Sequence, residues 1–121
     1  MHITSKANVR PSVNPNGETV FEMIGRPPDH GGEVQHSLAH IVIALGQAST
    51  RHFHKVSAET YYLLRGTAEL VIDNRAFTLR SGQACLIQPG ETHQIFNAGS
   101  DDLEFLAVCA PAWTPADSFE A

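Results

Sequence analysis

Three histidines and one glutamate have the side-chain types and the spacing of a metal-binding set. His52 and His54 are separated by one residue, so on a strand both leave from the same face, about 6.5 Å apart along it. The polar residues 55–58 allow the chain to turn before Glu59 begins another strand, and His93 opens a further strand downstream. Imidazole suits Fe, Ni, Cu and Zn, and the carboxylate extends the range to Mn. The set predicts one divalent transition metal per chain, and the residues leave open which of these it is.

The number of ligands bears on the kind of site. Four protein ligands leave one or two positions open on a five- or six-coordinate ion, and open positions are typical of catalytic rather than structural metal sites. The alternative is that the histidine pair is solvated or packed in the core, because two histidines at this spacing are common without a metal.

Short apolar segments separated by turn residues indicate the fold that must position these side chains. Nine such segments occur, with Gly, Pro, Asn and Asp between them. They are residues 18–25, 35–45, 51–54, 60–65, 69–72, 76–79, 85–88, 93–97 and 103–109. Many short strands with closely spaced turns predict an all-β sandwich or barrel. No window of twelve residues has helical periodicity, so we expect little helix beyond a turn in the C-terminal tail.

Composition excludes several classes of protein. With 121 residues the chain is the length of one domain, 42% hydrophobic and 17% charged. The net charge is −5 and the basic residues are scattered singly, which argues against nucleic-acid partners and against a membrane surface. The longest apolar run, residues 105–110, is far shorter than the roughly 20 residues of a membrane-spanning helix.

The termini and the cysteines indicate a compartment. The N-terminal residues lack the apolar core of a secretory signal, so we expect a cytoplasmic protein. Cys85 and Cys109 each lie in an apolar segment without a CxxC pattern, and we expect both to be free thiols.

Two spaced patterns identify a family resemblance. Residues 46–66 match G(x)5HxH(x)4E(x)6G through Gly46, His52, His54, Glu59 and Gly66. Residues 82–97 match G(x)5PxG(x)2H(x)3N through Gly82, Gly90, His93 and Asn97. One position departs, because Gln88 stands where the pattern has its first proline. The chain resembles the cupin superfamily, and within it the small single-domain cupin 2 barrels.

The resemblance implies a jelly-roll-like β-barrel with the metal inside, bound by His52, His54, Glu59 and His93. It also implies a small-molecule ligand or substrate. One hypothesis is a metalloenzyme, either a dioxygenase or an isomerase or lyase. A second is a non-catalytic module that binds or senses a small ligand, and a third is a metal with a purely structural role. Fold and metal do not choose between them.

Strand phase suggests further residues around the metal. Tyr61 and Leu63 alternate with Glu59 and share its face, so both are expected to line the pocket. Tyr61 is the candidate catalytic residue, as an acid, a base or a hydrogen-bond donor, although a space-filling role fits it equally. His40 is a possible pocket-lining or supporting residue, with a surface or core position as the alternative. Phe53 is out of phase with the ligands and should point away from the metal.

The chain divides into three parts. Residues 1–17 are expected to form an N-terminal arm, residues 18–112 the barrel and residues 113–121 a C-terminal tail. The tail carries Trp113 and Phe119, which predict a strap across the barrel or a partner subunit, or a wall of the pocket entrance. Open sheet edges must be covered, and the arm could lie along a neighbour's edge. Together with the family resemblance, this predicts a homodimer.

Overall fold

The computed structural model describes residues 1–121 and consists of short strands with three turns of 3-10 helix. The strands are β1 (Ser12–Val13), β2 (Glu18–Ile24), β3 (Ser37–Ile43), β4 (His52–Phe53), β5 (Ala58–Arg65), β6 (Thr67–Ile72), β7 (Arg75–Arg80), β8 (Ala84–Ile87), β9 (His93–Asn97), β10 (Leu103–Ala110) and β11 (Phe119–Glu120). The helical turns are Lys6–Asn8, Pro28–His30 and Pro115–Asp117. None of them has the length and apolarity needed to cross a membrane.

Hydrogen bonds join the strands into two antiparallel sheets. One has six strands in the order β1-β2-β3-β10-β5-β8, and the other has five in the order β11-β4-β9-β6-β7. Strands that are distant in sequence lie side by side, such as β10 between β3 and β5, as in a jelly roll. The predicted all-β, jelly-roll-like fold with little helix is confirmed. No ladder joins one sheet to the other, so the barrel is open.

Each of the nine predicted segments overlaps one strand, and the last turn of 3-10 helix lies in the tail as expected. The two strands that the sequence did not predict, β1 and β11, are two residues long and lie at sheet edges. The first lies in the predicted arm and the second in the predicted tail. Both termini therefore add edge strands to their own chain's sheets.

Alternation along β5 and β10 separates the interior from the surface. On β5, Glu59, Tyr61 and Leu63 are buried, whereas Tyr62 and Leu64 are exposed. The inward side chains of both sheets form one apolar cluster. Its members are Ile41, Ile43, Tyr61, Leu63, Ala68, Leu70, Leu79, Ile87, Ile95, Leu103, Phe105 and Ala107.

The interior consists of a packed part and an open part. Ile41, Tyr61 and Ala107 belong to the apolar cluster and also line a cavity that contains the predicted metal ligands. These three side chains form the boundary between the two parts. The core thus supports the wall of the site directly.

Gly66, the last glycine of the first pattern, connects β5 to β6 across a crowded point. Its φ is +92°, and a Cβ there would lie 3.0 Å from the carbonyl oxygen of Asp102. Both the backbone conformation and the contact favour glycine. The residue allows the chain to pass from the six-stranded sheet to the five-stranded sheet in one step.

Candidate metal centre

The structure brings the four predicted ligands together. One donor atom from each of His52, His54, Glu59 and His93 lies within 4.8 Å of the others. His52 is paired with His93 across β4 and β9 of the five-stranded sheet, whereas Glu59 comes from β5 of the other sheet. The cluster therefore lies between the two sheets, and both sheets must be in place for it to form.

Backbone carbonyls fix the orientation of all three imidazoles. The Nδ1 atoms of His52, His54 and His93 donate hydrogen bonds to carbonyl oxygens at 2.7, 2.7 and 2.9 Å. A carbonyl oxygen only accepts, so each Nδ1 carries a proton, and in the neutral imidazole the lone pair is therefore on Nε2. Such bonds are what orients metal-binding histidines.

The converging atoms fit a cation. Glu59 Oε1 lies 3.1 Å from His93 Nε2 and 3.4 Å from His54 Nε2. Nitrogen lone pairs that face a carboxylate at these distances repel it unless a proton or a metal ion lies between them. His54 Nε2 is buried and makes no hydrogen bond of good geometry. Three imidazole nitrogens and one carboxylate oxygen are a donor set for a divalent transition metal.

The ionisation of the four groups follows from their mutual contacts. Burial acts to raise the pKa of Glu59, but the close contacts with the imidazoles of His54 and His93 outweigh it and hold that pKa well below its usual range. Burial and the neighbouring His93 lower the pKa of His52 to about 4. Burial opposes protonation of His54, yet the Glu59 carboxylate raises its pKa overall. The Glu59 carboxylate therefore stays ionised and attracts a cation to the site.

Cys109 contacts a predicted ligand, a role that the sequence did not indicate. Its Sγ donates a hydrogen bond to Glu59 Oε2 at 3.3 Å, and the two residues are opposite each other in the β10–β5 ladder. Burial, followed by the charge of Glu59, raises the pKa of the thiol well above its usual range. Cys85 and Cys109 are both free, which confirms that expectation.

A cavity of about 490 Å³ contains His52, His54 and Glu59 in its lining. The remaining wall is mixed, with apolar side chains beside carboxyl, hydroxyl and guanidinium groups. The apolar members include Val20, Ala39, Ile41, Ala107 and Trp113, and the charged ones include Arg10, Glu18, Glu22 and Glu120. A small organic molecule fits this volume, and both polar and apolar parts of it would find partners.

Tyr61 lines this cavity as expected from its phase. Its ring lies edge-on to His93, with centroids 6.1 Å apart, and packs on Phe105 at 4.8 Å. Burial and the charge of Glu59 raise the pKa of the phenol well above its usual value. The hydroxyl therefore stays protonated and can donate a hydrogen bond, but it is a poor base.

The other two predicted pocket residues lie outside the cavity. His40 is on the opposite face of β3 from Ala39 and Ile41, and its Nε2 lies 3.0 Å from Glu104 Oε1. Leu63 faces inward but is completely buried in the apolar cluster. The structure thus gives His40 a partly buried hydrogen bond with Glu104 and Leu63 a core position.

Two glutamates of β2 belong to the polar wall of the cavity, although the sequence motifs do not include them. Glu18 and Glu22 alternate with Val20 and line the cavity with it. Asn14 Nδ2 donates a hydrogen bond to Glu18 Oε1 at 2.8 Å, which holds the carboxyl in place. Burial, and then the charge of Glu59, raises the pKa of Glu18 to about 7. The alternation in residues 18–22, ETVFE, could have indicated that both carboxylates lie on one face of the strand.

The turn before His93 explains the departure from the second pattern. The backbone N–H of Gln88 donates to Glu91 Oε1 at 2.7 Å, a bond that a proline could not make. Glu91 N–H donates back to the Gln88 carbonyl at 3.1 Å, and Gly90 N–H donates to the His54 carbonyl at 2.7 Å. The turn is therefore closed by the Glu91 side chain instead of by a proline ring, and His93 keeps its position.

Comparison with known proteins supports the fold and gives a family. The family model described as "Cupin domain" matches residues 39–109. The uncharacterised protein MJ1618 of Methanocaldococcus jannaschii is 29% identical over 115 residues, which cover 95% of this chain and 90% of that protein.

Solved structures agree with this assignment. A protein described as a predicted oxalate decarboxylase from Thermotoga maritima is similar with a TM-score of 0.78 and 23% identity, over 90% of this chain and 98% of that one. The polyketide cyclase RemF from Streptomyces resistomycificus is similar with a TM-score of 0.80 and 21% identity, over 100% of this chain and 85% of that one. At these identities the likeness establishes the fold.

Glu18 should make the stability of the metal-free protein depend on pH. The pKa of Glu18 is about 7 in the folded protein against 4.5 ordinarily, so its contribution is fully present below pH 4.5 and is lost as the pH rises through 7. Glu18→Gln removes this loss. Relative to wild type, the variant should therefore gain on the order of 2 kcal/mol in unfolding free energy between pH 5 and pH 8.

Urea unfolding of both proteins at the two pH values measures this difference, in which titrating groups remote from Glu18 cancel. Glu69→Gln, on the exposed side of β6, controls for the loss of a negative charge. A Glu18→Gln difference that is equal at pH 5 and pH 8 would contradict the prediction.

Proposed function

Because the chain belongs to the cupin family, we propose that it is a small metalloenzyme acting on a small organic molecule inside its cavity. One divalent transition metal per chain would be bound by His52, His54, Glu59 and His93. Iron, manganese, nickel, copper and zinc are all compatible with this donor set. The reaction class that the cavity favours is isomerisation or elimination.

The observation that carries this proposal is the common orientation of the three histidines. Each Nδ1 proton is engaged by a backbone carbonyl, so three Nε2 atoms and one Glu59 oxygen converge beside a cavity of about 490 Å³. A merely structural metal needs no such space. Ligand atoms on the wall of a substrate-sized cavity support a metal that meets a substrate.

The protein's own groups supply binding and proton transfer. A bound divalent metal would polarise a substrate oxygen as a Lewis acid or, if redox-active, support oxygenation. Tyr61 donates a hydrogen bond to the substrate, because its phenol stays protonated. Glu18 can give or take a proton near neutral pH, since the pKa of a general acid or base works best near the operating pH. Val20 and Ile41 provide apolar surface that limits water beside these groups.

These proton-transfer groups favour an isomerase or lyase over a dioxygenase. The two classes separate by metal and by oxygen. We expect activity to persist in a zinc-loaded, oxygen-free preparation, because zinc acts as a Lewis acid without redox chemistry. Substrate conversion that consumes O₂ and stops under anaerobic conditions would instead establish the dioxygenase. The structural neighbours include a polyketide cyclase, which supports an enzyme in general terms.

A non-catalytic ligand-binding or sensing module is the alternative. It shares the metal and the cavity and differs only in turnover. If metal-loaded protein binds small organic acids or polyols but converts none of a broad panel, this alternative is correct. The position of Glu18 and Tyr61 in the cavity wall favours the enzyme.

We also propose a homodimer in the cytoplasm. The outer face of the six-stranded sheet exposes four large apolar side chains, which a second copy could cover. They are Tyr62, Leu64, Leu86 and Val108. Both the homodimer and its location stay predictions, and the mass from light scattering tests the first.

Metal content tests the ligand set. Wild-type protein should hold about one transition metal per chain, and His54→Ala should lose most of it, since one of four donors is gone. His36→Ala removes an exposed histidine and should retain the wild-type content. Inductively coupled plasma mass spectrometry gives the content, and circular dichroism checks the fold. Full occupancy in a His52/His54 double alanine variant would refute the assignment.

Tyr61→Phe tests the role of the phenol. The change removes only the hydroxyl, so metal content should stay unchanged while turnover falls by roughly 10²-fold, the scale of one proton-donating group. The matched control is Tyr62→Phe, on the exposed face of the same strand. Steady-state kinetics with equal metal loading compares them. Equal rates for wild type and Tyr61→Phe would reduce Tyr61 to a packing residue.

A further inference from the structure

The C-terminal tail holds the loop between two of the candidate ligands. Asp117 lies in the 3-10 turn Pro115–Asp117, and its carboxylate accepts hydrogen bonds from the backbone N–H groups of residues 55–57 at 2.9 to 3.1 Å. These residues form the link from His54 to Glu59. A single side chain thus fixes the conformation that sets how the two ligands approach each other.

The same residue also fixes the imidazole of His54. The backbone carbonyl of Asp117 accepts the Nδ1–H of His54 at 2.7 Å, 63 residues away in the chain. The corresponding bonds of His52 and His93 go to carbonyls only two residues away. Two imidazoles are therefore oriented locally by their own strands, whereas His54 is oriented by the tail.

Further contacts dock the tail beside the site. Strand β11 pairs with β4, with Phe119 opposite Phe53, and the two rings stack at 5.3 Å. The Lys55 ammonium lies 4.4 Å from the centroid of the Phe119 ring. The backbone N–H of Ala121 donates to the Arg51 carbonyl at 3.1 Å. The tail is held on both sides of Asp117, because residues 111–113 also pack on the barrel through Ser57 Oγ, which donates to the Pro111 carbonyl at 2.8 Å.

We propose that Asp117 is a positioning residue of the metal centre, which aligns His54 Nε2 with the other donors through the docked tail. The inference rests on the proposed function, because it concerns the affinity for that metal. Asp117 does not itself belong to the donor set. The carboxylate of Asp117 holds its own backbone carbonyl in place beside His54. Without that carboxylate the carbonyl and the imidazole are less restrained, so more rotational freedom is lost on metal binding and the metal affinity should fall.

The test compares Asp117→Ala with Thr114→Ala, a tail residue whose side chain makes no capping hydrogen bond. Affinity for Co²⁺ is measured by competition with a chelator, at a temperature at which both metal-free proteins are fully folded. Under that condition a loss of global stability alone leaves the affinity unchanged. Asp117→Ala keeps the carbonyl but loses the carboxylate that fixes it against residues 55–57, so it should bind roughly 10- to 100-fold more weakly, the usual scale when the outer support of a metal ligand is disturbed. Thr114→Ala should match wild type, and the Co²⁺ absorption spectrum should change only in Asp117→Ala.

The outcomes separate the inference from the proposed function. Wild-type affinity and spectrum in Asp117→Ala, together with weak binding by His54→Ala, would overturn the positioning role and leave the metal site standing. Absence of Co²⁺ binding by wild type would overturn both. If Asp117→Ala does not fold, Phe119→Ala undocks the tail from the outside and should weaken binding in the same direction. Unchanged affinity in Phe119→Ala would then count against the proposal.

Discussion

A carboxylate buried between two sheets is the constraint on which the rest of the site depends. Glu59 lies in the interior with His54 and His93 within 3.4 Å of one of its oxygens. Removing an ion from water costs several kcal/mol unless charge and hydrogen bonds compensate. Because Glu59 belongs to one sheet and His93 to the other, this compensation exists only when the sheets face each other in the native register. The donor set therefore forms only when the two sheets are packed together.

The sequence was sufficient for the ligands but not for their surroundings. Spacing predicts His52, His54, Glu59 and His93, because period-two alternation and one turn determine which side chains can meet. Cys109 contacts Glu59 only through the register of β10 against β5, which places together two residues that are 50 apart in the chain. Local sequence contains no information on that register.

The positions of His40 and Leu63 show the limits of strand phase. In β3 both phases are apolar, with Leu38 and Val42 on one and Ile41 on the other, so the pattern could not decide which face His40 occupies. Leu63 was assigned to the correct face, yet it lies deeper along β5 than the cavity extends. Phase gives a side chain's face, whereas depth depends on where the opposite sheet packs. The sequence does not predict the two-residue strands β1 and β11 for a similar reason. Segments this short are strands only because they pair with β2 and β4.

An acidic residue supports a histidine in the same way at two places in this site. Glu91 accepts the Gln88 N–H with its carboxylate and the His93 Nδ1–H with its carbonyl, while Asp117 accepts the N–H groups of residues 55–57 and the Nδ1–H of His54. In each case the carboxylate closes a turn next to the carbonyl that the ring needs. A turn closed by a side chain can replace a proline ring, which is why Gln88 is compatible with an intact His93. The geometry of the donors thus depends on how the turns are closed rather than on any one turn residue.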